Sequence, residues 1–471
     1  MLISSTGLAE IKANIKKNIF FGNKPTPQLM AILLVYFVQG ILGLARLAVS
    51  FFLKDDLGMT PAEVSAMLGI IALPWVIKPV FGFISDGLPI LGYRRRPYLI
   101  LSGFLGAIAW IALATVVHSP LAATLVITLS SLSVAISDVI VDSLVVERAR
   151  QESLSDVGSL QSLCWGTSAL GGLITAYLSG FLLEIFSVQT IFLITASFPL
   201  IVCGVAWLIA EEKVNGDRSN LETVKQQLSQ LRQAVTQKTI WLPMAFVFIW
   251  QATPTADSAF FYFTTNELGF QPEFLGRVRL VTSIASLLGV FLFQRFFKTV
   301  PFRKIFAWST VLSSLLGMTT LLLVTHANRA LGIDDYWFSL GDSLILTVIG
   351  QIAYMPVLVL AARLCPPGVE ATLFALLMSV SNLAGLLSYE SGALLTHLFG
   401  VTENQFDNLW LLVILTNIST LLPLPFINWL PHVNAQNEGE DSHSQTPISA
   451  KIGHHHVPDY VPEYEGIGIR D

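Results

Sequence analysis

Two carboxylates four residues apart, Asp138 and Asp142, interrupt a stretch of chain that is otherwise without charge from Pro120 to Val146. On a helix that spacing puts both groups on one face. Other ionisable groups are set into apolar runs in the same way: Arg46, Lys78, Asp257, Arg277, Arg279 and Glu390. Removed from water, such groups are costly unless they meet a partner or line a cavity. Arg277 and Arg279 are two apart and so point about 200° from one another around a helix. Only one of them is therefore expected to reach an interior cavity, the other lying near the outer interface. Gln39, Gly43, Arg46 and Ser50 recur at helical spacing and form one polar stripe. A cavity lined by Arg, Lys and Asp suits a substrate that carries both carboxylates and hydrogen-bonding ring nitrogens. Asp138 or Asp142 could also carry a proton, because desolvation favours the neutral acid. For any one of these residues the competing reading is an ion pair between helices, and for Glu390, near the end of its apolar run, that reading is the stronger. Pro74 and Pro79 interrupt the helical ladder around Trp75 and Lys78, so a kink there would aim Lys78 inward. Pro254 interrupts a later run, and Pro356 is expected to act in the same way beside Tyr354. Trp165 and Trp250 could stack on a planar ring, or simply pack between helices.

A second set of residues is basic and glycine-bearing. Gly82-Phe83-Ile84-Ser85-Asp86 is followed by Gly92-Tyr93-Arg94-Arg95-Arg96-Pro97. A Gly lets helices approach closely, and the Asp can pair with Arg or cap a helix end. Such a cluster, with Arg148 and Arg363 at equivalent places further on, could hold one side of a molecule shut and release it when its halves rock. The competing reading is a plain anchor of positive charge at a membrane surface.

These residues need long apolar elements to position them. The chain has 471 residues, 53% hydrophobic and only 13% charged, against about 25% charged in soluble domains. Its solvent is therefore lipid. A spanning helix takes about 20 apolar residues to cross about 30 Å of hydrocarbon. Candidate spans run 28–53, 63–85, 98–118, 121–146, 157–183 and 188–210, then 240–263, 272–297, 302–325, 341–364, 369–397 and 407–430. The expected organisation is a segment 1–27, a six-helix bundle over 28–210, a linker over 211–239 bearing a surface helix, a second bundle over 240–430, and a polar, disordered tail over 431–471. Cys164, Cys203 and Cys365 fall in apolar runs and read as packing residues. His454, His455 and His456 read as a solvated tract, or else a weak metal site.

Lys and Arg fix the expected orientation. With the N-terminus inside, the inner segments collect Lys12, Lys16, Lys17, Lys24, Arg94 to Arg96, Arg148, Arg150, Arg295, Lys298, Arg303, Lys304 and Arg363, whereas the outer loops hold Lys54 and Arg329. Both termini are then cytoplasmic. The first 27 residues lack the apolar core of a signal peptide and the Arg- and Ser-rich character of a transit peptide, which suits a bacterial inner membrane. Glu147-Arg148-Ala149-Arg150, Gly158-Ser159-Leu160-Gln161-Ser162 and Gly171-Gly172 correspond loosely to Ala361-Ala362-Arg363, Gly368 with Ala371-Thr372-Leu373, and Ser381-Asn382 with Gly385. Two parallel six-helix halves make the major-facilitator plan, an all-α membrane fold with its site near the midplane. The chain carries no P-loop, no dinucleotide fingerprint after a strand and no metal-ligand cluster in its spans. An enzyme, a cofactor and a nucleic-acid partner are accordingly not expected, and a gradient rather than ATP would drive any transport.

The run Tyr36-Phe37-Val38-Gln39-Gly40 through Gly43-Leu44-Ala45-Arg46, with Pro74-Trp75-Val76-Ile77-Lys78-Pro79, resembles the folate–biopterin transporter family. So do Gly82 to Asp86, Gly92 to Tyr98, Asp138-Val139-Ile140-Val141-Asp142-Ser143, Glu147 to Arg150 and Gly158 to Ser162. The resemblance is strongest in the first half and closest to cyanobacterial and plastid members. The second half matches mainly by layout, supported by Asp257, Arg277 and the segment around Arg363. It implies proton-coupled transport of folates or related pterins in a cyanobacterial inner membrane. Arg46, Lys78 and one of Arg277 or Arg279 would hold the substrate carboxylates. Asp138 or Asp142 would accept from the pterin ring or relay the proton, with Gln39, Asp257, Trp165 and Tyr354 completing the lining. The alternatives are a carrier of another planar anion and a transporter-like assembly or pigment-handling factor of photosynthetic membranes.

Overall fold

The computed structural model describes residues 25–149, 157–213, 236–297, 300–363 and 370–431. All of these residues belong to one compact unit. Among the described residues ten helices are long and apolar enough to cross a membrane, six before the linker and four after it. We label the helical elements α1 (Pro27–Asp56), α2 (Pro61–Gly87), α3 (Arg96–Thr115), α4 (Pro120–Ala149), α5 (Val157–Ile185) and α6 (Val188–Leu208). After the linker come α7 (Lys238–Gln251, resuming over Asp257–Tyr262), α8 (Pro272–Phe297), α9 (Phe302–Val324), α10 (Asp335–Arg363), α11 (Glu370–Leu398) and α12 (Leu409–Trp429). The expected surface helix of the linker, the polar tail with its histidines, and Cys365 lie outside the described residues.

The helix starts follow from local chemistry. Prolines occupy the first turns of α1, α2, α3 and α8, where an amide N–H would lack a partner anyway. Thr60 and Glu63 form a reciprocal cap on α2, and the Thr26 hydroxyl accepts from the Leu29 amide at the start of α1. The breaks are equally local. Helix α2 restarts at Leu73 and again at Lys78, so Pro74 and Pro79 each fall in the first turn of a new segment. Helix α7 is open from Ala252 to Ala256, around Pro254. Pro356 behaves otherwise: α10 continues through it without interruption, so the expected break beside Tyr354 is absent.

The two halves repeat one feature that the sequence reading did not pick up. Helix α1 widens into a π-helical turn over Phe52–Asp56, and α7 does the same over Phe263–Glu267. Each turn runs into Leu-Gly-x-x-Pro: Leu57-Gly58-Met59-Thr60-Pro61 and Leu268-Gly269-Phe270-Gln271-Pro272. Gly58 and Gly269 take φ of +60° and +68°, a left-handed turn that favours glycine. The Met59 amide donates to the Leu53 carbonyl (3.0 Å), and the Phe270 amide to that of Thr264 (2.9 Å), so even the hydrogen bonds correspond.

We call the end of the bundle that carries these turns the far end, and the end that carries Arg94 to Arg96 and Glu211 the linker end. The halves meet at the far end. Lys54 donates to the Asn266 side chain (2.8 Å), the Tyr262 hydroxyl donates to the Met59 carbonyl, and Phe51 meets Phe261 edge to face. Gly180 and Gly276 press α5 onto α8, and a Cβ on Gly180 would stand 2.8 Å from the Gly276 Cα. Around these contacts an apolar cluster gathers Leu44, Phe52, Met59, Trp110, Phe192 and Tyr262.

Candidate functional site

The break in α2 places Lys78 against α4. Its ammonium pairs with Asp138 and, at 3.1 Å, with Asp142. The Gln39 amide donates to Asp138 (3.1 Å) and the Tyr36 hydroxyl to Asp142 (2.5 Å), so α1, α2 and α4 converge on one ionic cluster. The ammonium also lies 5.6 Å from the centre of the Trp75 ring. Lys78 and Asp138 are only 16% and 12% exposed, and Asp142 faces open space at 44%. Two carboxylates against one ammonium leave one negative charge over in a poorly solvated place. The lysine expected to hold substrate carboxylates thus faces two acids of its own chain. Gln39 and Asp138 are likewise bound to one another within this cluster.

The arginines are arranged differently. Arg279 enters from α8 in the second half and donates to the Gly43 carbonyl of α1 (3.3 Å) and the Ser179 hydroxyl of α5 (3.1 Å). Arg46, one turn beyond Gly43, is exposed, and its positive field acts on Arg279. The Tyr389 phenol of α11 lies within reach of the fields of both Arg46 and Asp257. Among the described residues neither Arg46 nor Arg279 has a carboxylate partner. Two guanidinium groups, one from each half, thus lie within reach of one another's field with no carboxylate partner among the described residues.

Arg277 turns the other way. It is 58% exposed and pairs with Glu273 one turn back (2.7 Å), which also accepts from Tyr177. Arg277 is thus paired with Glu273 and not brought to Arg279. Asp257 opens the second segment of α7, its amide donating to the Thr255 hydroxyl (3.2 Å), and it has no cation among the described residues. Trp165 is 55% exposed on α5. Tyr354 packs with Trp250 against a cluster of Phe246, Phe302 and Phe306. Trp250 meets the Phe306 ring edge to face and donates to Thr310 (3.1 Å), so of its two readings the packing one describes it.

At the linker end, Gly82 lies against Val139 and so brings α2 close to α4. Arg95 binds Asp86 (2.7 Å), Glu147 (2.8 Å) and the Ser85 hydroxyl (3.1 Å). Burial works against the Arg95 charge, but the Asp86 and Glu147 carboxylates outweigh it and hold the guanidinium above its ordinary pKa. Gly92, at φ +85°, turns the chain so that the amides of Arg94, Arg95 and Arg96 converge on Glu211 at 2.5–3.0 Å. That carboxylate caps the positive end of α3. The Arg96 guanidinium lies over the Tyr93 and Trp207 rings and donates to the Ile209 carbonyl (2.7 Å), and Arg148 donates to Thr26 (2.8 Å). These described contacts tie α1, α2, α3, α4 and the end of α6 together. Arg363 closes α10, and its side chain lies outside the described residues. Glu147 and Glu211 carry this cluster as much as the arginines do. Their only signal in the sequence was an acid just past the apolar run of a span.

Comparison with known proteins agrees with this architecture. Solved structures with the same fold include the nucleoside transporter NupG (15% identity, TM-score 0.63, covering 85% of this chain and 98% of that one). A D-xylose–proton symporter superposes similarly (13% identity, TM-score 0.62, 87% and 99% covered). The fold is thus the all-α major-facilitator arrangement. In sequence, the chain is 64% identical to a folate-biopterin transporter of Synechocystis sp. over 92% of this chain and 88% of the relative. It is 35% identical to a probable folate-biopterin transporter 2 of Arabidopsis thaliana (83% and 80% covered) and 32% identical to folate transporter 2 of Plasmodium falciparum (86% and 88%). These relatives are transporters and not enzymes. The BT1 family model matches residues 39–450, and the chain belongs to that family.

Proposed function

We propose that this protein moves folates or related pterins across a membrane by alternating access, coupled to protons. The observation that carries the reading is the unneutralised pair Arg46 and Arg279, contributed by opposite halves. A folate ends in a glutamate with two carboxylates, and a carboxylate bridging the two guanidinium groups would draw the halves together. Asp257 and Tyr389, near the same pair, supply an acceptor and a hydroxyl for the donors and acceptors of a pterin ring. The names of the relatives at 64%, 35% and 32% identity support the substrate class.

The Lys78 cluster is the proposed proton carrier. With one ammonium and two carboxylates it becomes neutral when one of Asp138 and Asp142 takes up a proton. The Arg95 cluster holds the first half rigid at the linker end, so that the halves move as bodies about the site. The positive-inside distribution of Lys and Arg supports a cytoplasmic position for both termini. A bacterial inner membrane suits that distribution, and the relative at 64% identity supports a cyanobacterial type. The test is uptake of labelled folate into right-side-out and inside-out vesicles holding the purified protein, with and without a pH gradient. Saturable uptake accelerated by the gradient is the expected result, and absence of uptake of folate and of biopterin from correctly oriented protein overturns the reading.

A further inference from the structure

Helix α11 presents three faces. One meets the first half: the Ser65 hydroxyl donates to the Tyr389 carbonyl (2.9 Å), and Asn382 donates to the Trp75 carbonyl (3.0 Å). A second meets α7, where Ser381 donates to Gln251 and Ser388 to the Thr253 carbonyl (2.6 Å). The third is apolar and open: Leu383, Leu387, Leu394 and Leu398 are 37–66% exposed at helical spacing. On the neighbouring α2, Ile70, Leu73, Ile77 and Val80 form a matching stripe, 42–48% exposed. In spanning helices such aliphatic stripes face lipid.

Glu390 stands seven residues after Leu383 and four before Leu394, which puts it at the edge of the lipid-facing stripe. It is about 100° around the helix from Tyr389, which looks toward Arg46 and Asp257. Its carboxyl lies against α2 where Gly69 has no side chain, and one oxygen fills the place that a Cβ there would take. Among the described residues nothing donates a hydrogen bond to it and no cation pairs with it. The charged groups on the surrounding elements are otherwise engaged or face elsewhere. On α2, Glu63 is tied to Thr60. On α1, Lys54 holds Asp55 and Asn266. Arg46 and Asp257 act on Tyr389, and His397 lies two turns further along α11.

A carboxylate ion in hydrocarbon with neither cation nor donor is strongly disfavoured. We propose that Glu390 is a lipid-facing carboxylic acid at the seam between the two halves, and that its proton keeps the far end closed. In the neutral form the carboxyl packs against Gly69 and lets α2 and α11 meet. Once the proton leaves, the ion draws water or headgroups into the seam and parts the helices. This is a second proton site, distinct from the Lys78 cluster. It rests on the reading of the chain as an alternating-access transporter, though not on the identity of the substrate.

Chemical modification of the unaltered full-length protein in membranes tests the first clause. Dicyclohexylcarbodiimide, which partitions into lipid, should form an adduct on Glu390 at least tenfold more abundantly than a water-soluble carbodiimide, as read by peptide mass spectrometry. A Glu390→Gln chain should show no adduct there. Equal or greater modification by the water-soluble reagent, or modification by neither, overturns the placement. The second clause is read with Phe261→Cys at the far end, in a chain whose three cysteines are replaced by alanine. Labelling by a membrane-impermeant maleimide, corrected for the free thiol's own pH dependence, should rise severalfold from pH 6 to pH 9. It should stay flat when Glu390→Gln is added. A flat response in both chains, or a rise in both, overturns the latch. Neither readout uses uptake, so a failure of the transport reading in a flux assay is distinguishable from a failure here.

Discussion

Replacing Lys78 by Met keeps the length of the side chain and removes its charge, leaving Asp138 and Asp142 facing one another without a cation. Lys78 and Asp138 are 16% and 12% exposed, so solvent screening relieves little of the penalty. Breaking a buried pair by removing one partner costs about 3–5 kcal/mol. Uptake of a proton by the acids limits the loss to the lower part of that range. Asp138→Asn is milder, because Lys78 keeps Asp142 at 3.1 Å and the cluster becomes one-to-one. It forfeits roughly the 1.5–3 kcal/mol of a charge-assisted hydrogen bond, offset by removal of the surplus negative charge. The double variant Lys78→Met with Asp138→Asn leaves only Asp142, still bound by Tyr36 at 2.5 Å. It should recover part of the Lys78→Met loss, with a coupling of about 1–3 kcal/mol. Unfolding by sodium dodecyl sulfate titration in mixed micelles, followed by loss of helicity, measures all four proteins. A Lys78→Met chain as stable as the parent, or a double variant equal to the sum of the singles, refutes the cluster.

Three further outcomes follow from the same geometry. Arg277→Ala breaks only an exposed pair with Glu273, so it should leave the unfolding midpoint in the same titration unchanged and leave the affinity for folate unaltered in an equilibrium binding assay. Gly180→Val places a branched side chain against the Gly276 backbone at the seam of α5 and α8. It should abolish far-end closure, seen as free access of an impermeant maleimide to a cysteine at Phe51 in a cysteine-free chain, while α3 and α6 remain folded. Glu211→Ala frees the three amides of Arg94 to Arg96 at the start of α3. A loss of about 1–2 kcal/mol is expected, and amide hydrogen exchange confined to the first turn of α3 and its preceding loop checks it.

The layout of the spans was legible because about 20 consecutive apolar residues have few other uses in a chain. The proline breaks of α2 were legible for a similar reason, since Pro74 and Pro79 change the backbone wherever the helix lies. Pairing was not legible. Lys78, Arg46 and Arg279 look alike in sequence, yet among the described residues one is matched by two acids and the other two by none, a difference set by which helices cross. The same holds for Glu147 and Glu211, whose partners come from the α2–α3 loop. The paired π-helical turns carry the plainest repeat in the chain, Leu-Gly-x-x-Pro. Charges at the linker-side end of α4 and the end of α10 instead gave only a loose correspondence between the halves. Arg277 and Arg279 show the complementary case: a difference of two positions on a helix separates the inward-facing cation from the exposed one.

The central claim is that Arg46 and Arg279 hold the carboxylates of the substrate between the halves. The most direct test is equilibrium binding of folate and of biopterin, which has no carboxylate, to the parent protein and to its Arg279→Ala variant. Loss of a charge-assisted hydrogen bond of about 1.5–3 kcal/mol should weaken folate about tenfold to a hundredfold and leave biopterin unchanged. Equal weakening of both ligands, or of neither, contradicts the account.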